Sequence, residues 1–155
     1  MLFYYIKNKI IIEDRFYTEA FIDYLQGIVK KYTKVNMCLY IEADFFPNLT
    51  DDKNEFENEL FTKVRFCDSE KGLDIKDVHK FIDGCAEIVN LSEDLIMIVN
   101  ESSALSDNKK ANFIGTMLYN GINPEDILYD NEKGIAIFTD CIFGNIIIVN
   151  RKNFL

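Results

Sequence analysis

Carboxylates are the side chains of this sequence whose spacing could do chemistry. Between Glu42 and Glu59 stand Glu42, Asp44, Asp51, Asp52, Glu55, Glu57 and Glu59 against Lys53, seven acids against one base and a net −6, in a chain whose formal charge is −9. Glu42, Asp44, Asp51 and Asp52 are the set that would hold a divalent cation, or serve as the acid and base of a hydrolase. A calcium loop, however, needs oxygen ligands at alternate positions and a glycine at its sharp turn, and Phe45, Phe46 and Pro47 fill that stretch instead. Leu49 and Phe56 follow. Apolar anchors among mutually repelling charges suit the approach of a basic protein better than a metal loop. The expected contact set is therefore Glu42, Asp44, Asp51, Asp52 and Glu55, with Phe45 or Phe46 as anchor. The blander alternative is a solvated helix end that packs Phe45 and Phe56 into the core.

Other chemistries lack their parts. A serine or cysteine hydrolase needs a base beside its nucleophile, and the chain has a single histidine, His79, at the flank of an apolar stripe where it would face solvent. A zinc site would have to gather His79 with Cys67 and Cys85 without the short ligand spacings that zinc motifs show. Cys38, Cys67, Cys85 and Cys141 form no Cys-x-x-Cys pair, and apolar neighbours such as Met37 and Leu39 suit buried, reduced thiols. The seven glycines are isolated, with neither a dinucleotide fingerprint nor a Walker loop, so no cofactor and no catalytic residue is expected. Lys7, Lys9, Lys30, Lys31 and Lys34 are too scattered for a nucleic-acid stripe in so acidic a chain. No secretory leader is visible, and no apolar run approaches the ~20 residues that span a bilayer, so a cytoplasmic location is expected.

The elements that must position these residues read as one α/β or α+β domain over 1–155 with a mixed sheet, because 155 residues with 48% hydrophobic content suffice for one core. Leu2 to Ile6 and Ile10 to Ile12 predict an N-terminal hairpin or one long edge strand. Ala20, Phe21, Tyr24, Leu25, Ile28, Val29 and Tyr32 have the spacing of a helix stripe, with Thr18 as N-cap. A strand over Val35 to Ile41 precedes the acidic loop, which enters a helix near Asp51 or Asp52, and a short strand covers Val64 to Cys67. Asp74 caps a helix with the stripe Ile75, Val78, Ile82, Cys85 and Val89. Leu95 to Val99 predicts the middle of the sheet. A helix starts at Ser106 and stops at Asn120-Gly121, and Asn123-Pro124-Glu125-Asp126 opens another. Ile135 to Phe138 and Ile146 to Val149, flanking Gly144-Asn145, predict a C-terminal hairpin. Asp68-Ser69-Glu70-Lys71-Gly72 and Asp130-Asn131-Glu132-Lys133-Gly134 share a pattern with the composition of an ordinary turn.

With an acidic patch such as Asp51-Asp52-Lys53-Asn54-Glu55 on a small domain without catalytic residues, the chain resembles the immunity proteins of bacterial toxin systems, including those of contact-dependent growth inhibition. The resemblance implies a non-enzymatic inhibitor that covers the cationic active site of a basic toxin domain such as a nuclease, and it carries over no particular residue. Two other classes fit. A small acidic secretion or assembly chaperone would use exposed hydrophobic grooves and a homodimer edge, for which Phe3, Tyr4 and Tyr5 are candidates, but such chaperones are expected to open with a helix rather than a strand. A carboxylate-dependent enzyme would lose activity, with binding intact, when Asp51 or Asp52 is changed.

Overall fold

Two antiparallel sheets divide the apolar runs of the chain. The computed structural model describes residues 3–6, 9–13, 15–34, 36–46, 53–68, 70–105 and 110–154. The elements are β1 (Phe3–Ile6), β2 (Lys9–Ile12), α1 (Arg15–Tyr32), β3 (Met37–Ile41), α2 (Lys53–Phe61), β4 (Val64–Phe66), α3 (Ile75–Ile82), β5 (Ala86–Asn90), β6 (Leu95–Asn100), α4 (Phe113–Ile122), β7 (Leu128–Asp130), β8 (Ile135–Phe138) and β9 (Ile146–Asn150). This is an α+β fold. One sheet has the order β1-β2-β8-β7 and the other β4-β3-β9-β6-β5. Every strand pairing among the described residues is antiparallel, so two antiparallel sheets replace the expected mixed one. No described helix is long and apolar enough to cross a membrane.

The period of two along a strand assigns the core. Leu39 and Ile41, Leu95, Met97 and Val99, and Ile146 and Ile148 face the larger core, which they share with α1, α4, Phe56 and Leu60 of α2, and Ile10, Ile12, Ala136 and Phe138 of the four-stranded sheet. The alternate residues Cys38, Tyr40, Ile96, Ile98, Ile147 and Val149 face Val78 and Ile82 of α3. Both faces of the five-stranded sheet are thus covered, which explains why β6 and β9 are unbroken apolar runs.

Several expectations are corrected. Thr18 does not cap α1: the helix begins at Arg15, and Thr18 is fully buried three and four residues before Phe21 and Ile22, on the core stripe itself. Ala20 is exposed, and Ile22 takes its place in the core. The strand expected from Val35 starts at Met37, because Asn36 adopts a left-handed conformation (φ 75°); Val35 lies outside the described residues. Asp74 caps α3 by accepting the Lys76 N–H at 2.9 Å, yet the helix ends at Ile82, where Asp83 turns left-handed (φ 59°) and its N–H bonds the His79 carbonyl. Cys85 is consequently exposed, and Val89 lies on β5.

The middle of the five-stranded sheet is β9, with β6 beside it. Ser106 lies outside the described residues, and the helix expected from it begins only after Asn112, whose side chain caps α4; the helix then runs through Gly121 to Ile122. Pro124–Asp126 is a single 3-10 turn followed by β7 rather than a new helix. The C-terminal hairpin does not form. β8 and β9 belong to different sheets because the seven residues between them are tied elsewhere: the Ile142 carbonyl accepts the Asn112 N–H at 2.7 Å, and Asn145 accepts the Ala43 N–H and donates to the Phe81 carbonyl, both at 2.9 Å. The two Asp-x-Glu-Lys-Gly segments do form equivalent turns. Asp68 Oδ1 accepts the N–H groups of Glu70 and Lys71, Asp130 Oδ1 accepts those of Glu132 and Lys133, and each turn closes on a left-handed glycine (Gly72 φ 70°, Gly134 φ 67°).

Candidate functional site

The acidic segment leaves the buried end of β3 and returns through α2 to the edge strand β4. Ile41 is fully buried, and the next residues form a turn in which the Phe45 N–H donates to the Glu42 carbonyl at 3.0 Å. Glu42 is half-buried, and its carboxylate accepts a 2.8 Å hydrogen bond from Lys63 Nζ. Burial pushes the Glu42 carboxyl up, but the bonded Lys63 ammonium, a backbone hydrogen bond and the Arg65 charge outweigh it and hold the group below its ordinary range. Asp44 is exposed beside it. Phe45 packs against the larger core with Lys63 Nζ 4.9 Å from its ring centroid, so the core takes Phe45 and leaves Phe46, 48% exposed, as the accessible ring of the pair. Asp51 and Asp52 lie outside the described residues.

Helix α2 is seated by Phe56 and Leu60, four apart on one face and both buried. The Phe56 ring meets Phe21 edge-on at 5.4 Å. Glu55, Glu57 and Glu59 are half-buried beside that stripe. Glu57 accepts the Tyr24 hydroxyl at 2.9 Å and lies 3.8 Å from Lys31 Nζ. Lys31 and Lys63, both outside the 42–59 segment, therefore answer two of its acids. Counting them gives seven acids against three bases, a net −4 instead of −6, and part of the expected repulsion is met within the chain.

Two further aromatic residues, absent from the expected contact set, are exposed at the ends of α2 and β4. Phe61, at the end of α2, is 56% exposed with its ring edge-on to Tyr32 at 5.7 Å, and Phe66, at the end of β4, is 78% exposed. Phe61 directly follows the buried Leu60, so it falls off the core stripe, a signal visible in the sequence. Phe66 shares a face with Val64 but ends a strand that, among the described residues, is paired on one side alone, which the residue pattern does not show.

The remaining candidates stay apart. His79 is exposed on α3. Among the described residues no three histidine, cysteine, aspartate or glutamate side chains converge as a metal site. A cleft of about 250 Å³ between β5, β6 and the 140–143 segment is lined in part by Glu87, Glu101, Tyr119 and Asp140 and contains none of the predicted contact residues. The chain matches no protein-family model, no curated protein and no solved structure.

Proposed function

We propose that α2 and its flanks bind a basic protein and that the chain acts as an immunity-type inhibitor, occluding the cationic active site of a toxin domain such as a nuclease. The observation that carries this reading is the pairing, on one short stretch of chain, of carboxylates with outward phenyl rings: Asp44, Glu55 and Glu59 alternate with Phe46 and Phe61. Carboxylates in such a surface take the place of substrate phosphates, and an aromatic ring supplies the buried anchor around which a contact becomes tight.

The protein encoded immediately upstream is the probe, titrated against this chain by biolayer interferometry. Binding is expected, with association slowing markedly between ~50 and ~200 mM salt as the screening length shrinks. Reversing Asp44, Asp51 and Asp52 to lysine together should weaken it at least ~10-fold, mainly through association, while Phe61→Ala should speed dissociation and leave the salt dependence in place. Unchanged affinity in the charge-reversed protein, with its circular dichroism intact, would show that this is only a solvated face.

A further inference from the structure

Cys38 and Cys67 lie against one another across the β3–β4 pair. In register, Cys38 faces Arg65 and Met37 faces Phe66, and the Cys67 N–H continues the ladder by donating to the Asn36 carbonyl at 2.9 Å. Arg65 and Cys67 therefore share the sheet face that carries Cys38 and Tyr40. The twist of the strands draws the same diagonal together twice. It places the Arg65 guanidinium 4.0 Å from the Tyr40 ring centroid, and it brings Cys67 Sγ to 3.3 Å from Cys38 Sγ, where the Cys67 thiol donates a hydrogen bond. Both thiols are free. A disulfide requires sulfurs about 2.05 Å apart, so the pair must close by roughly 1.2 Å.

We propose that Cys38 and Cys67 are a dithiol modification site, which a disulfide oxidant of the glutathione class converts to an intramolecular disulfide that staples the edge strand β4 to β3. The accessibilities set the order of events. Cys67 is half-buried, whereas Cys38 is 1% exposed, so Cys67 meets the oxidant. Its sulfur, as thiolate, attacks one sulfur of glutathione disulfide; that S–S bond breaks, and the first glutathione leaves as a thiol carrying the Cys67 proton. Cys38 then attacks the Cys67 sulfur of the mixed disulfide and gives up its proton to the second glutathione as it leaves. Two protein thiols are oxidised, and one glutathione disulfide is reduced to two glutathione thiols. Burial holds both cysteines above their ordinary thiol range, so exchange takes minutes to hours rather than seconds. The edge strand gains most from the link, because β4 is three residues long and, among the described residues, pairs with β3 alone.

The test uses the unaltered chain. The protein is incubated with glutathione disulfide, quenched by alkylation in denaturant and digested for mass spectrometry. A Cys38–Cys67 cross-linked peptide pair is expected, with the intact protein lighter by two hydrogens, reversed by dithiothreitol, and with the amides of Val64 to Cys67 exchanging several-fold more slowly. A Cys85→Ser/Cys141→Ser protein should give the same product. Accumulation of a glutathione adduct on Cys67 without the cross-link would overturn the proposal, as would linkage of either cysteine to Cys85 or Cys141. Because the folded wild-type chain is the substrate, a Cys38→Ser variant that fails to fold does not decide the result.

Discussion

The side-chain amide of Asn112 donates to the carbonyl of Ile41 at 3.1 Å, tying the start of α4 to the end of β3 across 71 residues of sequence. The same Nδ2 donates to the Gly144 carbonyl at 3.0 Å, and Oδ1 accepts the Gly115 N–H at 2.9 Å. Asn112 is fully buried, so truncation to alanine strands three backbone groups where water does not replace the lost partner. Asn112→Ala should cost about 2–4 kcal/mol, more than an exposed cap contributes. Urea unfolding measures it; a loss below about 1 kcal/mol would mean the three bonds are not made together.

The aromatics of α2 divide into those that hold the helix and those that do not. Phe56→Ala should destabilise by about 3–5 kcal/mol, because a fully buried ring against Phe21 is removed, whereas Phe61→Ala should change stability by less than about 1 kcal/mol. Equal losses in chemical denaturation would show that Phe61 is a core residue and unfit as an anchor.

The Glu42–Lys63 pair makes stability depend on pH in a definite direction. A carboxyl whose folded pKa lies below its ordinary 4.5 contributes stability that is present above that value and disappears as pH falls through the folded pKa. Glu42→Gln should therefore be weaker than wild type at neutral pH, by about 0.2–1 kcal/mol for a pair still reached by solvent, and the two proteins should converge as pH falls through the lowered folded pKa. A difference that widens toward acid would reverse the assignment.

The two Asp-x-Glu-Lys-Gly turns should answer the same mutation unequally. A Cβ on Gly134 meets nothing within 4 Å, so Gly134→Ala should cost only the left-handed penalty of about 1–2 kcal/mol. A Cβ on Gly72 would stand 2.0 Å from the Asn153 carbonyl oxygen, the acceptor of the Leu73 N–H, and backbone must move. Gly72→Ala should lose about 1–3 kcal/mol beyond its counterpart. Matching melting temperatures for the two variants would contradict this.

Elements that bury a regular stripe or both faces were legible in the sequence: α1 follows from its helical spacing, and β6 and β9 from unbroken apolar runs, whereas the N-terminal runs allowed a hairpin or one long edge strand until the β1–β2 pairing decided for the hairpin. Failures cluster where a tertiary contact or one backbone angle decides. Cys85 and Val89 continue the α3 spacing on paper, yet left-handed Asp83 ends the helix and sends Val89 into a strand. The runs of β8 and β9 are alike in composition, and nothing local says that Asn145 is held by Ala43 and Phe81, or that the segment between the strands therefore spans two sheets. At the candidate surface the acids were legible as a list. The pairing of Glu57 with Lys31 and of Glu42 with Lys63 was not, since both bases lie outside the segment.

The central position of β9 bears on how the molecule comes together during synthesis. β3 with β4 and β5 with β6 are local pairs that can form early, but neither touches the other, since β9 stands between β3 and β6. Until residues 146–150 leave the ribosome, the inner edges of β3 and β6 have no partner, and the apolar side chains on both face solvent or each other's wrong register. Such open, sticky edges invite pairing with another nascent chain. The nascent chain thus depends on a single late strand to convert two separate strand pairs into one continuous sheet, and a stall shortly before Ile146 would leave it most prone to aggregate.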